Sequence, residues 1–127
     1  MEVLTKENIN EFMKYYHSFH DSSIDKIIYD SANSEIEIAF DIYWSGEPSI
    51  MEDGTYDTHK TKIRMIFIGV LNFHDTKEHN YIDNALIASY NKDGRELINF
   101  SLQSDEDYDS TYLTVICEKI KYAEINL

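Results

Sequence analysis

Apolar residues recur at helical spacing near the start of the chain, with Ile9, Phe12, Met13 and Tyr16 at i, i+3, i+4 and i+7. Thr5 is a candidate N-cap and Glu7 complements the dipole of the first turn, so the pattern predicts an amphipathic helix over about residues 6–18. Lys6, Asn10, Glu11 and Lys14 make its polar face, which puts the helix on the surface of a sheet rather than inside a core. From Ile24 the period shortens. After the turn-forming run 30–34 the alternation is strict, with Ile36, Ile38, Phe40, Ile42 and Trp44 on one face and Glu35, Glu37, Ala39, Asp41 and Tyr43 on the other. Strands on either side of so short a turn pair as an antiparallel hairpin with one buried and one wet face.

Residues 45–60 hold the only proline and two of the four glycines, and their length marks a loop of the kind that carries function. Lys62 to Phe73 is apolar on both faces in its middle, which predicts a long central strand, with Gly69 at a bulge or a close backbone approach. Leu86 to Tyr90 and Glu96 to Leu102 flank a hairpin turn at 91–94, where Gly94 supplies positive φ. The acidic segment 104–110 then leads into Tyr112 to Cys117, and Ile120, Tyr122 and Ile125 continue that last strand. The pattern predicts a single domain, 1–127, of the α+β class. Its N-terminal helix packs on a mainly antiparallel, curved sheet of about six strands, arranged as a half-barrel or a two-layer sandwich.

Composition changes this picture mainly through charge. Apolar residues make up 43% of the 127, enough for a real core, but 24 acidic residues against 11 basic ones leave a net charge of −13. Phosphate backbones and anionic membranes are repelled by such a surface, so no nucleic acid and no membrane partner is expected. A basic protein is the partner that the charge favours, although acidity also serves plain solubility. Cys117 is the only cysteine, which excludes a disulfide framework. The start Met1-Glu2-Val3-Leu4-Thr5-Lys6 lacks a secretory pattern, so the cytoplasm is the expected compartment. The longest apolar run, Met65 to Leu71, is too short for a bilayer.

Candidate chemistry is sparse. His17, His20 and Asp21 sit where the helical pattern yields to strand, but their spacing completes no metal site, and His74, Asp75 and His79 fall in a predicted loop. Cys117 lies in an apolar strand, where a thiol packs as a small hydrophobe. Neither a nucleophile elbow nor a phosphate loop nor a zinc helix motif occurs. Asp105, Asp107 and Asp109 imitate the opening of a calcium loop, yet Ser110 replaces its glycine and Ile116 its bidentate glutamate. No catalytic residue, metal or cofactor is expected, and a non-enzymatic binding module is the favoured reading. Its partner-binding candidates are Glu52, Asp53, Tyr56 and Asp57 in the first loop and Asp105, Glu106, Asp107, Tyr108 and Asp109 in the second, where tyrosine among carboxylates suits an interface. The competing reading is a small hydrolase or a ligand-binding barrel that uses the concave face of the sheet.

Phe19-His20-Asp21-Ser22-Ser23-Ile24, then Ile27-Ile28-Tyr29-Asp30 and the alternating 35–40, resembles the start of small uncharacterised bacterial domains with a Phe-His-Asp-(small)-x-(Ile/Val) signature. Some of these look like immunity proteins of polymorphic toxin systems. The resemblance covers about residues 12–44. It implies a non-enzymatic cytoplasmic protein that neutralises a toxin by binding, with His20 and Asp21 as a structural signature. From the residues themselves, Asp21 or Ser22 is expected to bond backbone groups freed by the helix end, and His20 to bridge helix and sheet.

Overall fold

The computed structural model describes residues 1–77, 81–104 and 111–125. Among them the chain forms β1 (Glu2–Leu4), α1 (Ile9–Tyr15), a 3-10 turn (His17–Phe19), β2 (Ser23–Asp30), β3 (Glu35–Ile42), β4 (Ser49–Ile50) and β5 (Tyr56–Asp57). There follow β6 (Thr61–Ile68), β7 (Asn72–Asp75), β8 (Ile82–Lys92), β9 (Arg95–Ser104), β10 (Thr111–Cys117) and β11 (Lys119–Ile125). One sheet runs β1-β11-β6-β3-β2, a second β7-β10-β9-β8, and a third is the β4-β5 pair alone, with every described pairing antiparallel.

This corrects the α+β expectation of an N-terminal helix packed on one sheet of about six strands: the described residues are 60% strand and 9% helical, a β-rich fold with eleven strands in three sheets among them. The helix is the reason. α1 holds seven residues, two turns at most, and has no side-chain N-cap bond; Asn8 occupies the cap position expected for Thr5. His17, Ser18 and Phe19 then take φ of 51°, 51° and 60°, a left-handed run that no right-handed helix can continue through. So short a helix cannot cover the apolar face of a sheet, and the second sheet covers it instead.

Ile36, Ile38, Phe40 and Ile42 of β3 are buried, as the alternation requires, together with Ile63, Met65 and Phe67 of β6. Phe100 of β9 closes on them from the second sheet, its ring centre 5.1 Å from Phe67 and 5.9 Å from Phe40. The space between the sheets is filled by these rings with Ile82, Leu102, Leu113 and Val115. The two long apolar runs of the sequence are each broken where the chain passes from one sheet to the other. Between β6 and β7 the break is at Gly69, with φ of +65°; between β10 and β11 it is at Glu118. The corners interlock: Glu118 N–H donates to Ile68 O at 3.0 Å, and Leu71 N–H to Ile116 O at 2.8 Å. A Cβ on Gly69 would meet the Glu118 side chain at 2.6 Å, which is the close approach the glycine permits. His74 and Asp75 stand on β7 rather than in a loop, and His79 lies outside the described residues.

Candidate functional site

The Phe-His-Asp-Ser segment begins with a side chain that fixes the rest. Phe19 is fully buried, with its ring centre 5.0 Å from Phe40, 5.9 Å from Phe12 and 6.2 Å from Phe100, so it pins the helix end to both sheets. Its burial compensates the left-handed backbone, which costs roughly 1–2 kcal/mol per non-glycine residue. Asp21, with φ of 61°, is also left-handed, a region that Asp tolerates better than most residues. The backbone groups freed here find partners across the fold. Asp21 N–H donates to Ile82 O at 2.9 Å, and Ile82 N–H returns to Ser22 O at 2.8 Å, which ties the turn to the start of β8. The buried Ser22 Oγ accepts from Tyr43 N–H at 3.0 Å.

His20 and Asp21 work from the edge of this knot, their side chains 50% and 44% exposed. His20 Nδ1–H donates to Asp83 O at 2.9 Å, and Trp44 Nε1–H donates to Asp21 Oδ2 at 3.1 Å. His17 Nε2–H donates to Gly46 O at 2.6 Å, and Gly46 N–H to Tyr15 O at 2.8 Å, so the same turn anchors the start of the long loop. Asp21→Ala removes the Trp44 acceptor and puts alanine in a left-handed position, with an expected loss of about 1–2 kcal/mol. Ser18→Gly relieves the same kind of strain and is expected to raise the midpoint by a degree or two. Differential scanning calorimetry of the pair checks the opposite signs.

Residues 45–60 are a built element rather than a bare loop. Ser45 N–H donates to Thr58 O at 3.0 Å, and Ser49 Oγ lies 2.9 Å from His59 Nε2, closing the base. Above it, Ser49 pairs with Asp57 and Ile50 with Tyr56 in the β4–β5 hairpin. Gly54, with φ of +86°, makes the tip, and Asp53 Oδ1 accepts from Thr55 N–H at 3.0 Å and Thr55 Oγ1 at 2.6 Å. These bonds, the hydroxyl's first, hold the Asp53 carboxyl below the usual aspartate value. A depressed folded value means that the turn's contribution is present above the unfolded value of about 3.9 and is lost as pH falls through the folded one. A carboxyl-carbon NMR titration is expected to place the Asp53 midpoint below that of Thr55→Ala protein.

The sequence-predicted residues separate on this frame. Glu52, Asp53, Tyr56 and Asp57 all lie on the hairpin and are exposed. Asp105, Glu106, Asp107, Tyr108 and Asp109 lie outside the described residues. Sequence reasoning missed the apolar half of the hairpin: Ile50 is 74% exposed and Met51 48%, beside Tyr56 at 61%. The signal for it was the Asp53-Gly54 pair between β-forming residues, a hairpin tip. From Ser45 to His59 there is no Lys or Arg, while Glu47, Glu52, Asp53 and Asp57 fall within the segment. At the hairpin's foot, Asp21, Asp41, Tyr43, Trp44, Lys60 and Tyr81 line a groove of about 590 Å³.

Chemically reactive groups are sparse in the described part. Cys117 is fully buried, and burial pushes its thiol up to about 12, so the thiolate is not populated near neutrality. Among the described residues no three His, Cys, Asp or Glu side chains converge to hold an ion, and no helix is long and apolar enough to cross a membrane. Compared with known proteins, the chain matches no protein-family model and no curated protein.

Proposed function

We propose that this chain is a non-enzymatic binding module whose 49–57 hairpin docks a basic protein. The observation that carries the reading is the exposure of Ile50, Met51 and Tyr56 together on a hairpin whose only charges are carboxylates. Single exposed apolar side chains are common on protein surfaces, but a group of three on a built element is the composition of a contact core, and the surrounding acids supply a charged rim. Glu52, Asp53 and Asp57 steer a positive surface toward that core. The acidic stretch 105–109 adds to the net negative charge by its sequence.

The filled space between the sheets supports this reading over one in which a concave sheet face holds a ligand or substrate. The inert thiol supports it over catalysis by Cys117. A cytoplasmic protein that covers a basic toxin is the form of the proposal that the sequence resemblance implies. Immobilised wild-type protein and the Ile50→Ser/Tyr56→Ser variant, compared as capture surfaces at low and high salt, test it. The wild type is expected to retain a basic protein that salt releases, and the variant, folded to the same thermal midpoint, to lose it. Equal retention by both overturns the hairpin as the docking element.

A further inference from the structure

We propose that the groove at the foot of the hairpin seats an arginine side chain of the basic partner. The inference rests on the binding reading above and names the residue type that the site takes. Three rings, Tyr43, Trp44 and Tyr81, meet two carboxylates, Asp21 and Asp41, in this one groove. A guanidinium is flat and weakly hydrated, so it stacks on ring faces while its fork of N–H groups reaches carboxylates; an ammonium offers only a point charge. Both halves of that recognition are laid out here. Tyr81 is 67% exposed and free to act as a platform, and Trp44 is held at the wall by its bond to Asp21 Oδ2 at 3.1 Å. Asp21 and Asp41 already meet cationic or N–H groups, Asp41 Oδ1 lying 3.4 Å from Lys62 Nζ, yet each carboxylate has acceptor sites for more than one donor.

One of the three rings already faces a cation of the chain's own, since Lys60 also lines the groove, which leaves Trp44 and Tyr81 as the faces for an incoming guanidinium. Lys60 Nζ sits 4.8 Å from the centre of the Tyr43 ring. Charge complementarity argues for a positive occupant, given a net charge of −13. The larger groove of about 770 Å³ between α1 and β11 lies away from the hairpin, and two of its carboxylates accept from its own tyrosines, Tyr16 donating to Glu124 at 2.8 Å and Tyr122 to Glu2 at 2.6 Å. Trp44 and Lys60 flank the hairpin segment in the chain, and Ser45 N–H donates to Thr58 O at 3.0 Å, so the groove lies where the hairpin segment leaves and rejoins the sheet.

Trp44 is the only tryptophan, so its emission reports on this groove. The full chain is titrated with a capped arginine–glycine peptide, its lysine–glycine counterpart of equal length, and cellobiose as a neutral stacking ligand. The arginine peptide is expected to change Trp44 emission saturably, with a Kd about fivefold below that of the lysine peptide at the same salt. Tyr81→Ala is expected to weaken it about two- to fivefold with an unchanged thermal midpoint, because an exposed ring contributes little to folding. The Ile50→Ser/Tyr56→Ser variant is expected to keep the response. An unchanged emission, equal affinity for the two peptides, or a response to cellobiose alone overturns the arginine seat. Capture of a basic protein by the hairpin is a separate readout, so the binding reading stands or falls without it.

Discussion

Phe19→Ala is expected to lower the free energy of unfolding by about 3–5 kcal/mol, the largest effect of any substitution considered, because it empties a site in contact with both sheets. Phe19 is fully buried and touches Phe12 of the helix, Phe40 of the five-stranded sheet and Phe100 of the four-stranded one. Its loss also leaves the left-handed run at 17–19 without the burial that compensates it. A domain of this size has about 5–15 kcal/mol in total, so the variant stands close to unfolding. In urea the midpoint is expected to fall by about 2 M with the slope unchanged. Phe19→Leu, which keeps much of the volume, is expected to cost less than about half as much. A Phe19→Ala midpoint within error of wild type would contradict the pin.

On the binding side, Ile50→Ser/Tyr56→Ser is expected to weaken association with the basic partner by about 100-fold, since two central anchors contribute on the order of 1–2 kcal/mol each. Most of that change belongs in dissociation. Neutralising Glu52, Asp53 and Asp57 to amides acts differently, because rim charges steer encounter; association at low salt is expected to slow about tenfold while dissociation changes little. Raising the salt removes the difference between wild type and the amide variant as the Debye length shrinks below about 8 Å. Stopped-flow kinetics on both variants separate the roles. Folding is expected to be nearly unaffected in each, since the side chains are exposed and asparagine keeps the Oδ1 acceptor that Asp53 offers to Thr55 and Asp57 to His59 N–H.

What the sequence made legible was local and periodic. The alternation in β3 identified Ile36, Ile38, Phe40 and Ile42 as its buried face, although Ala39 is buried as well and Trp44 lies beyond the strand and is only partly buried; Asn91 to Gly94 identified the β8–β9 turn, where Asp93 and Gly94 take φ of 52° and 81°. What it hid depended on partners far along the chain. Phe19 follows Tyr16 at helical spacing, so the pattern runs on past Tyr15; His17-Ser18-Phe19 holds no glycine or asparagine, the strongest marks of a left-handed turn, and His17 alone is a weak one. The turn exists because burying Phe19 between two sheets outweighs its backbone strain. The division into sheets was hidden for a related reason. Residues 62–73 and 112–125 are continuous in their apolar pattern, and only Gly69 and Glu118 mark where each run changes sheet. In the candidate site, the carboxylates and Tyr56 were legible from composition, whereas Ile50 and Met51 gained meaning only once the hairpin held them in solvent. Tyr81 and Trp44 are 37 residues apart in the chain and meet at one groove because Asp21 N–H and Ile82 O join the signature turn to β8.

The central claim, that the 49–57 hairpin is the docking element, is tested most directly by amide hydrogen exchange of the chain alone and in complex with the captured basic protein. Exchange is expected to slow at Ile50 to Asp57 and beside the groove at Tyr43 and Trp44, while the β8–β9 turn at 91–94 exchanges as in the free chain. Protection confined to other surfaces, with the hairpin amides exchanging at their free rates, would contradict the account.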